Sequence, residues 1–131
     1  MRHSRFLTLA AFLIAGCAAT AVDDPVRGAS ITLLPGQTAA LSRTISLRYD
    51  TVADSRCPTD ARCVWAGMVI YRLTLGTVRG KESFALHKDA PAAVLGGLRI
   101  AIGQAVEPPR GATGDAPAPH PVTFTITSET P

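Results

Sequence analysis

The stretch VIYRLTL, Val69 to Leu75, decides the fold. Val69, Tyr71, Leu73 and Leu75 fall on one side of an extended chain, and Arg72 and Thr74 fall on the other. Side chains that alternate with period two describe a half-buried β-strand. The same period recurs in both directions. Upstream, Ile45, Leu47 and Tyr49 alternate with Ser46, Arg48 and Asp50. Downstream, Phe84 and Leu86 alternate with Ser83, Ala85 and His87; Leu98, Ile100 and Ile102 with Arg99, Ala101 and Gly103; and Val122, Phe124 and Ile126 with Thr123, Thr125 and Thr127. Ile31 to Leu34 is a shorter candidate, followed by Pro35-Gly36, a pair suited to a type II turn, and a weak returning strand at Gln37 to Leu41.

Helix signals are nearly absent. The best is Asp89 to Gly96, with a capping residue, an early proline and a closing glycine. It reads as one or two helical turns or, with better support, as a loop between strands. From Glu107 to Pro121 the chain carries five prolines and two glycines, a composition that excludes both a helix and a central strand. The expectation is an all-β, antiparallel β-sandwich of about six or seven short strands, preferred mildly over a small barrel.

The N-terminus sets the compartment. Arg2 and Arg5 precede an uncharged, apolar run from Phe6 to Gly16. The run suits the core of a secretory signal and is shorter than the roughly 20 residues a spanning helix needs. It ends in Leu13-Ile14-Ala15-Gly16-Cys17, which resembles the lipobox of bacterial lipoproteins. That resemblance implies cleavage before Cys17, lipidation of its thiol and anchorage to a membrane by more than one acyl chain. Ala18, standing where aspartate retains such proteins at the inner membrane, implies passage to the outer membrane, facing the periplasm, in a cell that has one. The expected organisation is a signal peptide over 1–16, a lipidated cysteine and polar linker over 17–30, and a sandwich domain over 31–131. Of the 13 Lys and Arg, Arg2 and Arg5 leave with the leader, so the remainder nearly balances the 10 Asp and Glu. Lysines are confined to Lys81 and Lys88 and aromatics are sparse, so nothing favours a nucleic-acid partner.

With Cys17 assigned to lipid, Cys57 and Cys63 remain as a pair in an oxidising compartment. A disulfide is the first reading. A redox pair would more often be Cys-x-x-Cys at a helix start, and a zinc site would need about four ligands. His87 and His120 lie at no ligand spacing from the cysteines, and no cofactor is implied. Within DSRCPTDARCVWAG, Asp54 to Gly67, structural roles are available for most residues. Pro58 suits a turn, Asp54 and Asp60 can accept backbone N–H groups, and Gly67 lets the chain bend. Trp65 is expected to cover the sulfur atoms or close the end of the core. The alternative is that Trp65 stands out with Arg56 and Arg62 as an interaction loop, since Trp and Arg are favoured at interface hot spots.

The run Asp54-Ser55-Arg56-Cys57-Pro58 with Cys63-Val64-Trp65-Ala66-Gly67 resembles a family of small bacterial secreted proteins and lipoproteins of uncharacterised function, marked by a DSRCP…C-x-W-x-G loop between strands. Gly97-Leu98-Arg99-Ile100 and Val106-Glu107-Pro108 extend the likeness, so that it reaches from Ile45 to Pro109. It implies no activity.

The leading functional expectation is a membrane-tethered binding or structural module of the cell envelope, with an envelope protein as partner. The alternative is a protease-inhibitor-like protein that presents Arg62 on the braced loop 57–63. Catalysis is not expected. Ser55 beside Asp54 would need a histidine within hydrogen-bond reach, and neither a Gly-x-Ser-x-Gly elbow nor a phosphate loop is present. Metal capture through Asp54, Asp60 and His87 offers fewer oxygen ligands than the 6–8 that calcium gathers.

Overall fold

The computed structural model describes residues 28–103 and 107–129. The leader, Cys17 and most of the expected linker lie outside the described residues. The described chain is all β, in the order β1 (Ala29–Leu33), β2 (Thr38–Ala40), β3 (Ser46–Asp54), β4 (Val69–Thr77), β5 (Gly80–Leu86), β6 (Ala92–Leu95), β7 (Leu98–Ile102) and β8 (Val122–Ser128). Two four-stranded antiparallel sheets, β1-β8-β7-β6 and β2-β3-β4-β5, form a sandwich.

The core follows from the alternation. Leu47, Tyr49, Tyr71, Leu73, Leu75 and Leu86 point inward from one sheet, and Leu33, Leu98, Ile100, Val122, Phe124 and Ile126 from the other. Tyr49 sits at its centre, with its ring edge-on to Phe124 at 5.6 Å and to Tyr71 at 6.1 Å between centroids. Such tilted pairs place a positive ring edge on a negative face. The hydroxyls of Tyr49 and Tyr71 are buried without a hydrogen-bond partner among the described groups. Burial pushes both phenols above their ordinary range, and the neighbouring ring adds to the shift at Tyr49.

Two departures from simple alternation matter. In β3 the pairing with β4 slips between Tyr49, opposite Leu73, and Thr51, opposite Arg72, leaving Asp50 as an extra residue. A bulge of this kind reverses which face the following residues occupy. Leu47 and Tyr49 face the core before it, and Val52 and Asp54 turn inward after it. Asp54 therefore stands opposite buried Val69, on the inner side of the sheet at its end. The second departure corrects the sequence reading of Asp89 to Gly96. This segment is neither a helix nor a loop. Ala92–Leu95 pairs with β7 as an edge strand, and the chain reverses through Gly96-Gly97. Pairing with Leu98 to Ala101 overrides the weak local preference of an alanine-rich run.

The strands give the sandwich two distinct ends. At one lie Ala29, the 42–45 loop, the 77–80 turn, Gly96-Gly97 and Ser128. At the other lie Leu33, Asp54, Val69, Ile102 and Val122, with the two long loops between them.

Candidate functional site

The end away from Ala29 is built by the connection from β3 to β4 and by the proline-rich connection from β7 to β8. The first is closed by a disulfide between Cys57 and Cys63, whose Cα atoms are 5.7 Å apart. Its root is tied where the strands separate. The Ser55 N–H donates to the Met68 carbonyl at 3.0 Å, and its Oγ both accepts from the Met68 N–H and donates to the Met68 carbonyl at 3.1 Å. Gly67 takes φ of +63°, and a Cβ there would collide with the Ser55 carbonyl, so the bend requires glycine.

Arg56 joins the two loops. Its Nε donates to Asp54 Oδ1 at 2.9 Å, and its Nη2 donates to Asp54 Oδ2 and to the Pro108 carbonyl, both at 2.6 Å. Nη1 reaches Glu107 Oε2 at 3.0 Å. Only 8% of the Arg56 side chain and 12% of Asp54 remain exposed. The guanidinium hydrogen bonds hold the Asp54 carboxyl below the ordinary carboxylate range and raise Arg56 in return. The fork geometry of Arg suits this bidentate grip on a carboxylate. Pro108 is itself fully buried, which fixes the carbonyl that Arg56 reads.

Beyond the clamp, the Thr59 N–H donates to the Gly111 carbonyl at 3.1 Å. Asp60 Oδ1 accepts from the Thr113 N–H at 2.8 Å and from its hydroxyl at 2.9 Å, and these bonds lower the Asp60 carboxyl. A shallow, polar concavity of about 150 Å³ lies between the loops, lined by Asp54, Arg56, Pro58, Arg110 and Asp115 among others.

The residues marked in the sequence thus divide. Asp54, Arg56 and Pro58 form the fixed base; Arg56 is not displayed, because its charge is spent on Asp54, Glu107 and Pro108. Arg62 and Trp65 are exposed. The expectation that Trp65 covers the sulfurs or the core is overturned: 71% of Trp65 and 95% of Val64 face solvent. Asp60 bonds mainly across to the proline-rich loop, and its own backbone N–H adds a weaker contribution within the first loop. His87 lies just past β5 in an isolated bridge with Ala90, and its Nδ1 is buried without a hydrogen-bond partner among the described residues. The His120 ring packs 6.1 Å from that of Tyr71, with both nitrogens buried and without a hydrogen-bond partner among the described residues. Ser55 is engaged with Met68, and Asp54 with Arg56, so neither meets a histidine. Among the described residues no group of three or more His, Cys, Asp and Glu is gathered as a metal site would require.

Sequence reasoning missed Glu107, Pro108 and Thr113, which complete the loop-to-loop bonding. They lie more than 50 positions from their partners, in a segment with no periodicity to read. No family model, curated protein or solved structure matches the chain.

Proposed function

We propose that the protein is a lipid-tethered module of the bacterial cell envelope that binds a partner protein through the exposed lip Arg62-Cys63-Val64-Trp65. One observation carries the reading: a tryptophan and a valine stand in solvent on a loop whose base is fixed by a disulfide, a buried ion pair and bonds to a second loop. Large apolar side chains on a pre-organised loop lose little entropy when they bind. Trp and Arg are also the side chains that most often anchor an interface. The Leu13–Cys17 motif supports the tether, and β1 enters the sandwich at the end opposite the lip, which favours display away from the anchor.

The test is capture from envelope extracts by the wild-type protein, by Trp65→Ser and by Arg62→Ala, with melting followed in parallel. The reading expects one partner whose capture falls at least tenfold with Trp65→Ser while the melting temperature is unchanged. Equal capture by all three proteins would refute it. Stoichiometric inhibition of a trypsin-like protease, abolished by Arg62→Ala, would instead support the protease-inhibitor alternative, for which Arg62 is suitably exposed on the braced loop.

A further inference from the structure

The opposite end of the sandwich carries a second surface. The 77–80 turn lifts Val78 into solvent, 80% exposed, with Arg79 beside it and Lys81 at the start of β5. The 42–45 loop brings Arg43 to the same end, and Gly96-Gly97 forms its floor. Together these turns line an open concavity of about 420 Å³ bounded by Thr44, Ile45, Val78, Arg79 and Gly97. Among the described residues, Arg43, Arg79 and Lys81 make no ion pair, whereas Arg48 and Arg56 do. Among the described residues, Glu82 and Glu129 are the acids at this end, against the three cations.

Chain length fixes what this end faces. β1 begins here, at Ala29. The segment from Cys17 to Gly28 spans at most about 40 Å fully extended. A nine-residue strand such as β3 is about 30 Å long. A tether from Cys17 therefore delivers this end to the bilayer first. To turn the disulfide end downward, the tether would have to run nearly straight along the whole sandwich.

From the exposed valine, the unpaired cations and the entry point of the chain, we infer that this end is a membrane seat. Val78 enters the headgroup boundary, and Arg43, Arg79 and Lys81 contact anionic phospholipid phosphates. The inference rests on the lipid-anchor reading for its orientation, but the contact is a property of the folded surface. Three cations and one valine bind a bilayer weakly alone. A tether supplies the high local concentration that makes weak contacts effective.

The experiment uses the chain from position 17 onward carrying Cys17→Ser, which retains every described residue and lacks the lipid site. Its sedimentation is measured with vesicles of phosphatidylglycerol and phosphatidylethanolamine, and with vesicles of phosphatidylcholine alone. Binding to the anionic vesicles alone is expected, weakening with salt and falling at least about fivefold for each cation reversed in Arg43→Glu, Arg79→Glu and Lys81→Glu. A reporter separates the two ends. In Val78→Trp with Trp65→Phe, anionic vesicles should shift tryptophan emission to the blue and shield it from an aqueous quencher. Native Trp65, at the far end, should show neither effect. A shift of Trp65 instead, or binding indifferent to lipid charge and to the three reversals, would overturn the inference. The anchor reading is judged separately, by the mass of lipid on Cys17 in protein recovered from a bacterial membrane.

Discussion

Replacing Arg56 by methionine keeps the bulk of the side chain and removes its charge. The two ion pairs that this breaks differ in strength. Glu107 is 53% exposed, and its pair with Arg56 is screened by water, so it contributes a few tenths of a kcal/mol. Asp54 is 12% exposed, and removing one partner of a buried pair costs about 3–5 kcal/mol. Water at the end of the sandwich can reach part of the freed carboxylate, which places the cost near the bottom of that range, at about 3 kcal/mol. For a domain of this size that lowers Tm by roughly 10–20 °C. Urea unfolding followed by circular dichroism measures it directly, and a double-mutant cycle with Asp54→Asn isolates the pair. The pH dependence supplies an independent check. Arg56 holds the Asp54 carboxyl below its unfolded value of about 3.9. Its stabilisation is therefore complete above that value and drains away as pH falls through the folded one. Arg56→Met lacks this contribution, so wild type and variant should converge in acid. A cost below about 0.5 kcal/mol at pH 7, or a gap that stays constant down to about pH 2.5, would refute the clamp.

Four further outcomes are expected. Reduction of the Cys57–Cys63 bridge should cost about 2 kcal/mol, the loop entropy of so short a ring, with neither Cys57 nor Cys63 reacting as a free thiol beforehand. Gly67→Ala should destabilise the protein by several kcal/mol or displace the loop, because its Cβ meets backbone at the Ser55 carbonyl; Tm and soluble yield report this. Tyr49→Phe should leave stability unchanged or raise it, since the hydroxyl is buried and unpaired, and a loss above about 1 kcal/mol in urea unfolding would reveal a partner. Trp65, the single tryptophan, should emit at the wavelength of a hydrated indole and be fully open to iodide, and Trp65→Ala should shift stability by less than about 0.5 kcal/mol.

The sandwich was legible because most strands bury one face. Val69, Tyr71, Leu73 and Leu75 announce β4 without help from any other part of the chain. β6 was not legible, because Ala92, Ala93 and Val94 between a proline and a glycine suit a short capped helix as well as an edge strand, and only pairing with β7 decides. The bulge at Asp50 was hidden too. It leaves no mark in composition, yet it turns Asp54 inward and so creates the acceptor for Arg56. The disulfide followed from counting cysteines. The exposure of Trp65 did not, because burial favours tryptophan in general and nothing local in the sequence marks this one as solvent-facing.

The first and last strands are neighbours, with Ala29 directly across from Ile126. The domain is thus close to a closed ring of chain whose seam lies at one end. A few glycines would bridge Ser128 to Ala29, and new termini cut within the 111–116 stretch would move both chain ends to the other pole. Such a circular permutant would keep every strand pairing while starting and ending the chain beside the tryptophan lip instead of beside the cationic turns.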